Sequence, residues 1–252
     1  MANRPNLNPE NIGAGLGELK ARLLFLLFAI FVYRIGTHIP VPGIDPLQLN
    51  AFFDQNEGTF AGMFNMFSGG ALERMSIVAL GIMPYISASI IMQLLSAVSP
   101  QLDQLKKEGE SGRRKITQYT RYGALVLATV QATGMAVGLL SPMAYNPGLA
   151  FILTAIISLV TGAIFLMWLG EQITEKGVGN GISMLIFAGI VAGFPAAVGT
   201  SLTQAYEGQI NGVLLIVVGV IAIGVVACIV YVERAQRRIT VNYAKRQQGR
   251  KL

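Results

Sequence analysis

Glu171 and Glu175 stand four residues apart, so on a helix they share a face and could act as a general acid and base. They lie beside Lys176 at the end of a long apolar run, where a solvated helix end is the simpler reading. His38 is the only histidine, which leaves almost no material for a metal site or a hydrolase triad, and neither HExxH nor GxSxG occurs. Cys228 is the only cysteine. It has no intrachain partner and no CxxC spacing, and reads as a small residue packed in a helix. GVGNG at 177–181 has the glycine count of a phosphate loop but no lysine, and it follows an apolar helix rather than a strand. It reads as a flexible cap between helices. Arg34 sits inside an apolar stretch, where charges are functional candidates, but it lies near the outer end and can snorkel to the interface. These residues do not make an enzyme, and they imply no metal and no cofactor.

A second kind of chemistry needs no reactive group. Ile82 and Ile86 are spaced i,i+4, and Ile182 and Ile186 repeat that spacing. Isoleucine faces from several helices can form a constriction that excludes water and ions by dewetting. The same spacing also suits isoleucines that face lipid or pack between helices, and the pattern alone leaves both readings open.

The elements that would position these residues are membrane helices. Of the 252 residues, 53% are hydrophobic and 13% charged, against about 25% charged in soluble domains. Residues 75–102, 122–170, 177–206 and 208–232 carry no charge, and a span needs roughly 20 apolar residues. The fold class expected is an all-α, polytopic helical bundle with six transmembrane helices, at about 23–41, 76–98, 122–140, 149–169, 182–199 and 212–232. Lys20 and Arg22 precede the first apolar run as in a signal peptide, but no small-residue cleavage site follows, so that span is read as uncleaved. Residues 60–74 are apolar and glycine-bearing but too short to cross, which predicts a re-entrant segment. Glu73 and Arg74 beside it read as a solvated hinge pair. Residues 1–22 form a polar tail, 23–232 the membrane domain, and 233–252 the start of a basic loop.

The charges orient this bundle. With the N-terminus inside, 17 of the 19 lysines and arginines fall on one side, as the positive-inside rule requires. The net charge of +6 therefore reports orientation first. It also leaves basic cytosolic faces suited to an acidic partner such as ribosomal RNA.

The strings MFNMFSGGALERMSIVALGIMPYISASIIMQLL, KKEGESGRRKITQYTRYG, FLMWLGEQITEKGVGNGIS, FAGIVAG and ERAQRRITVNYAKRQQGR make the chain resemble the bacterial SecY family of protein-conducting channels, in its proteobacterial form. The resemblance covers nearly everything from Gly15 onward. It implies half of an inverted-repeat channel whose waist is a ring of aliphatic side chains, here Ile82, Ile86, Ile182 and Ile186. It also implies a plug on the outer side at about 60–74, comprising Phe60, Met63, Phe64, Asn65, Met66, Phe67, Ser68, Gly69, Gly70, Glu73 and Arg74. Spans two and three match one wall of a lateral gate.

Docking of a cytosolic partner, the SecA motor or a translating ribosome, is implied at Lys106, Lys107, Arg113, Arg114, Arg237, Arg238, Lys245, Arg246, Arg250 and Lys251. The implied companions are the SecE and SecG subunits and the lipid bilayer. The implied substrates are secretory polypeptides, conducted unfolded across the bacterial inner membrane, and membrane helices, released sideways into lipid. Ten spans are expected of the family, and six are found here. The alternative from another class is an inverted-repeat secondary transporter of small solutes. Such a transporter needs ionisable groups at mid-membrane depth, and spans two to six offer none.

Overall fold

Proline and glycine set most of the element boundaries. The computed structural model describes the backbone over residues 9–55, 65, 68–208 and 211–235, and side chains over 17–49, 51–53, 65, 68–208 and 211–235. The helices are α1 (Pro9–Gly36), α2 (Pro46–Gln55), α3 (Met83–Val98), α4 (Pro100–Lys107), α5 (Glu110–Met135), α6 (Leu149–Lys176), α7 (Gly181–Tyr206) and α8 (Gly212–Glu233). A π-helical turn, Ala136–Leu140, and a 3-10 turn, Ser141–Met143, finish α5. Among the described residues there is no strand, only the isolated bridges Pro40–Ser76 and Ile44–Ala144. The chain is an all-α, multi-pass membrane protein.

Among the described residues, four helical stretches, Glu110–Met143, Leu149–Lys176, Gly181–Tyr206 and Gly212–Glu233, are long and apolar enough to cross a bilayer. The other two expected spans differ in detail. Helix α1 ends at Gly36, and residues 37–44 turn instead of continuing to 41. The stretch 76–98 is not helical throughout, because regular helix begins only at Met83. Pro84 in its first turn has no N–H to contribute and a backbone angle already suited to a helix start.

The chain divides near Pro195 into two units. Pro195 lies inside α7 and removes a backbone donor there. In the first unit, α6 is the central post. Phe151, Ala155, Leu159, Gly162, Leu166, Gly170 and Ile173 are buried along its length, a spacing of three and four that keeps one face inward. Ala124, Ala128, Ala132 and Ala136 form a buried stripe along α5 and its π-helical turn, and small residues there let neighbouring backbones approach closely. Leu26, Ala29, Tyr33 and Gly36 are buried positions of α1. In the second unit, α8 is apolar on every side and exposed all round, as suits a helix whose solvent is lipid. Asn211 caps it by accepting from the Val213 N–H at 3.1 Å.

The least regular part of the first unit is also among its most buried. Residues 68–82 run through successive turns, yet Ala71, Met75, Ser76, Val78 and Ala79 are all within 1% of full burial. Irregular backbone inside a membrane protein survives only where protein satisfies it. Here Met75 C=O accepts from Val41 N–H at 2.8 Å, and Ile77 N–H donates to Ile39 C=O at 2.9 Å. Gly162 on α6 makes room for this path, since a Cβ there would overlap the Ile77 carbonyl. Gly162→Ala is therefore expected to destabilise the protein by about 1–3 kcal/mol. Gly134→Ala, at an open position on α5, should leave the unfolding temperature in detergent unchanged or higher.

Candidate functional site

Ile82 occupies the N-cap position of α3, directly after Gly81 at φ +59. Its carbonyl accepts from the N–H groups of Tyr85 at 3.0 Å and Ile86 at 3.1 Å. That first turn stacks Ile86 above Ile82 on one face. Helix α7 supplies Leu185 and Ile186. It starts where the 177–181 loop ends, with Asn180 Oδ1 accepting from Ile182 N–H at 3.0 Å and Thr174 Oγ1 accepting from Gly181 N–H at 2.8 Å. The expected flexible cap is thus a side-chain cap with two defined acceptors.

These elements enclose a cavity of about 230 Å³ lined by Tyr33, Ser68, Leu80, Gly81, Ile82, Met83, Ile86, Leu166, Leu185 and Ile186. No lining residue carries a formal charge. Its hydroxyls are turned to backbone, Tyr33 O–H donating to Ser68 C=O at 3.2 Å and Ser68 Oγ–H to Asn65 C=O at 2.9 Å. A cavity of this size has room for several waters, but its mostly apolar walls offer them few partners.

Three of the four isoleucines singled out by spacing therefore meet at one place. Ile182 does not line that cavity. It packs on α6, where a Cβ at Gly170 would lie 3.1 Å from its Cγ1, and it borders a separate cavity of about 590 Å³ that includes Tyr85, Arg121, Glu171 and Glu175.

The described part of the segment on the other side is tied down by hydrogen bonds. Asn65 binds Glu73 twice, through Nδ2–H to Oε2 at 3.0 Å and through Oδ1 from the Glu73 N–H at 3.0 Å. Arg34 Nη1–H donates to Gly69 C=O at 3.0 Å. Its guanidinium is half-buried against that backbone. Glu73 and Arg74 are not a pair, because Arg74 Nη1 lies 2.9 Å from His38 Nε2 while Glu73 is engaged by Asn65. Gly69 is at φ +68, and a Cβ on it would stand 3.0 Å from Gly189 Cα of α7. Gly70 is also at positive φ. Phe60, Met63, Phe64, Met66 and Phe67 lie outside the described residues.

Lys106, Lys107, Arg113 and Arg114 are all exposed, around the junction of α4 and α5. Lys107 pairs with Asp103 at 2.6 Å and Arg114 with Glu110 at 2.8 Å. Lys106 and Arg113 border a cavity of about 290 Å³ of mixed lining, with Ser89, Gln93, Ser96, Thr117 and Thr120 beside Tyr85, Met92 and Ile116. Arg237, Arg238, Lys245, Arg246, Arg250 and Lys251 lie outside the described residues.

Glu171 is more than a solvated helix end. Its two oxygens accept from Arg121 Nε–H and Nη2–H, each at 2.8 Å, joining α5 to α6. The arginine side chain is 47% exposed, so Arg121→Gln is expected to cost no more than about 1 kcal/mol in thermal unfolding.

Sequence reasoning missed the roles of His38 and Gly162, and it marked Arg34 without its backbone acceptor. His38 had one available signal, its position four residues beyond Arg34 at the end of the apolar run.

The SecY family sequence model matches residues 76–252. The protein translocase subunit SecY of Pseudomonas aeruginosa is 68% identical over 239 residues, covering 94% of this chain and 54% of the relative. That of Buchnera aphidicola subsp. Acyrthosiphon kondoi is 59% identical over 257 residues, covering 100% of this chain and 72% of the relative. That of Escherichia coli K12 is also 59% identical, with 58% of the relative covered. The chain thus spans between about half and three quarters of the length of these curated relatives.

Among solved structures, Sec61 in the canine ribosome-channel complex from the endoplasmic reticulum has a TM-score of 0.62 at 21% identity, covering 88% of this chain and 50% of that one. A structure of a protein-conducting channel has a TM-score of 0.55 at 21% identity, covering 77% and 42%. At that identity the likeness speaks to the fold. With a family match across more than half of its length and a relative 59% identical and 72% covered, the chain belongs to the SecY family.

Proposed function

We propose that this chain works, within a full-length SecY subunit, as one wall of a conduit for unfolded polypeptides. The observation that carries this reading is the meeting of Ile82, Ile86 and Ile186 around one uncharged cavity that Ser68 and Gly81 help to line. Apolar side chains make no strong contacts with a passing chain, so many sequences can slide through. The same side chains keep water and ions out at rest. The segment about 60–74 is the plug on the outer side, and α3 and α5 belong to the gate through which membrane helices leave for lipid. Relatives bearing the name protein translocase subunit support this reading.

The N-terminus is cytosolic and the membrane is the bacterial inner membrane. Support comes from charge, 17 of 19 lysines and arginines falling on one side of the bundle. The partners are SecE and SecG in the membrane, with SecA or a ribosome docking on the basic loops that hold Lys106, Lys107, Arg113 and Arg114. A ribosome-channel complex among the structures of like fold is consistent with such docking.

The test is reconstitution. A full-length subunit carrying this sequence, placed with its partner subunits and SecA in proteoliposomes, is expected to move a secretory precursor into protease protection when ATP is present. Binding of the precursor without protection would contradict the reading.

A further inference from the structure

We propose that Met75 and Ser76 form a strained hinge, which holds the preceding segment closed under tension and relaxes when that segment swings away. The proposal rests on the reading of the segment as a seal. Two independent outliers fall on these adjacent residues. Met75 is at φ +46, the one residue other than glycine at positive φ among the described residues, and it is wholly buried. Left-handed backbone crowds a Cβ against the carbonyl that follows it. Ser76 is also wholly buried, and its Oγ has no hydrogen-bond partner. No other buried side-chain nitrogen or oxygen among the described residues lacks one. A hydroxyl in that state has given up water and gained nothing in exchange. Outliers of this kind gather at switch regions.

Neither feature is needed to build the turn. Gly69, Gly70 and Gly81 supply the other positive φ angles between residues 68 and 82, and they have no Cβ to crowd. Met75 belongs to the same buried cluster as Val41 and Leu72, a task for its side chain rather than for its backbone angle. An alanine at position 76 would occupy the same place without a stranded hydroxyl.

The bonds around the pair show which way it can turn. From Met75 onward the chain is fastened by backbone to the exit of α1. Met75 C=O accepts from Val41 N–H at 2.8 Å, and Ile77 N–H donates to Ile39 C=O at 2.9 Å. Before Met75 the segment is held to α1 by side chains, Tyr33 O–H on Ser68 C=O and Arg34 on Gly69 C=O. Rotation about the N–Cα bond of Met75 moves the residues before it and leaves its own carbonyl on Val41. The turn closed by Met75 N–H on Leu72 C=O, at 2.9 Å, travels with the segment. That rotation carries φ from the left-handed region to the ordinary negative one. It also parts Ser76 N–H from Ala71 C=O, now 2.9 Å away, and so uncovers Ser76 to water. One motion relieves both features, and the closed state opens more readily than its packing alone would allow.

The test is labelling from the outer side, by a membrane-impermeant maleimide, of Ser68→Cys, a buried position in the segment. The parent is the full-length channel with its partner subunits in proteoliposomes, carrying Cys228→Ser and no other cysteine. Adding Ser76→Ala should slow labelling about tenfold, the factor for freeing the closed state of one unsatisfied buried hydroxyl. Its unfolding temperature in detergent should equal or exceed that of the parent. Met75→Gly and Met75→Ala leave nearly the same cavity and differ in their tolerance of positive φ. The glycine variant should therefore label about fivefold more slowly than the alanine variant. Labelling of Ser76→Ala at the parent rate or faster, a lower unfolding temperature, or equal rates in the two Met75 variants overturns the hinge. Gly69→Val in the same assay separates the hinge from the seal. If it labels faster while Ser76→Ala changes nothing, the hinge fails and the seal stands; if it labels at the parent rate, the seal fails and the hinge with it.

Discussion

Ile86→Asn in the full-length channel raises resting ion conductance by more than about tenfold. Fully burying an isoleucine is worth about 1.5–3 kcal/mol over leaving it wet, and every 1.4 kcal/mol is a factor of about ten. Ile86 is one of three isoleucines around an uncharged cavity whose hydroxyls are turned to backbone carbonyls. An amide in its place adds a free donor and a further acceptor to a lining whose hydroxyl protons are already given to backbone. The barrier to wetting should fall by about 2 kcal/mol. Ile86→Leu is the control, because it keeps volume and apolarity and should leave conductance within about twofold of the native channel. Bilayer recordings without translocating polypeptide read both directly. Equal, unchanged conductance in the two variants would mean that the cavity is not the ion barrier.

Gly69→Val should unseat the outer segment and leave the resting channel leaking at every pH. Two separate costs act on it. Gly69 sits at φ +68, where a residue with a Cβ loses about 1–2 kcal/mol. Its Cβ would also stand 3.0 Å from Gly189 Cα and 3.1 Å from Gly189 O, and helix backbone cannot swing aside as a long side chain can. Together they exceed about 2 kcal/mol, enough to shift a closed segment toward open by more than about tenfold. Cysteine labelling at position 74 from the outer side should speed up in parallel. A variant that leaks no more than native and labels at the native rate would show that the segment does not close the passage.

The isoleucine pairs were legible because i,i+4 spacing on an uncharged helix survives any detail of packing. Their heights were not. Ile182 lies about 6 Å along the axis from Ile186, and that one turn places it against Gly170 rather than in the cavity. The helix boundary at Met83 was masked, since IVALGIM is as apolar as the helix that follows. The signal present was local: Gly81 and Pro84 bracket the start, and only the second could sit within a first turn. Arg34 stood out as a buried charge, but its acceptor is a backbone carbonyl, which every residue has and no sequence pattern marks. Glu73 and Arg74 looked like a pair because they are adjacent. Adjacent side chains diverge, and each found its partner elsewhere, in Asn65 and His38.

The most direct test of the conduit is a photocrosslinker placed at position 86 of the full-length chain, assembled with its partner subunits and a stalled secretory polypeptide. Crosslinks to the polypeptide that vanish when the stalled chain is released are the expected result. If position 86 captured only lipid while polypeptide still crossed the membrane, the isoleucines would be ordinary packing and the passage would run elsewhere.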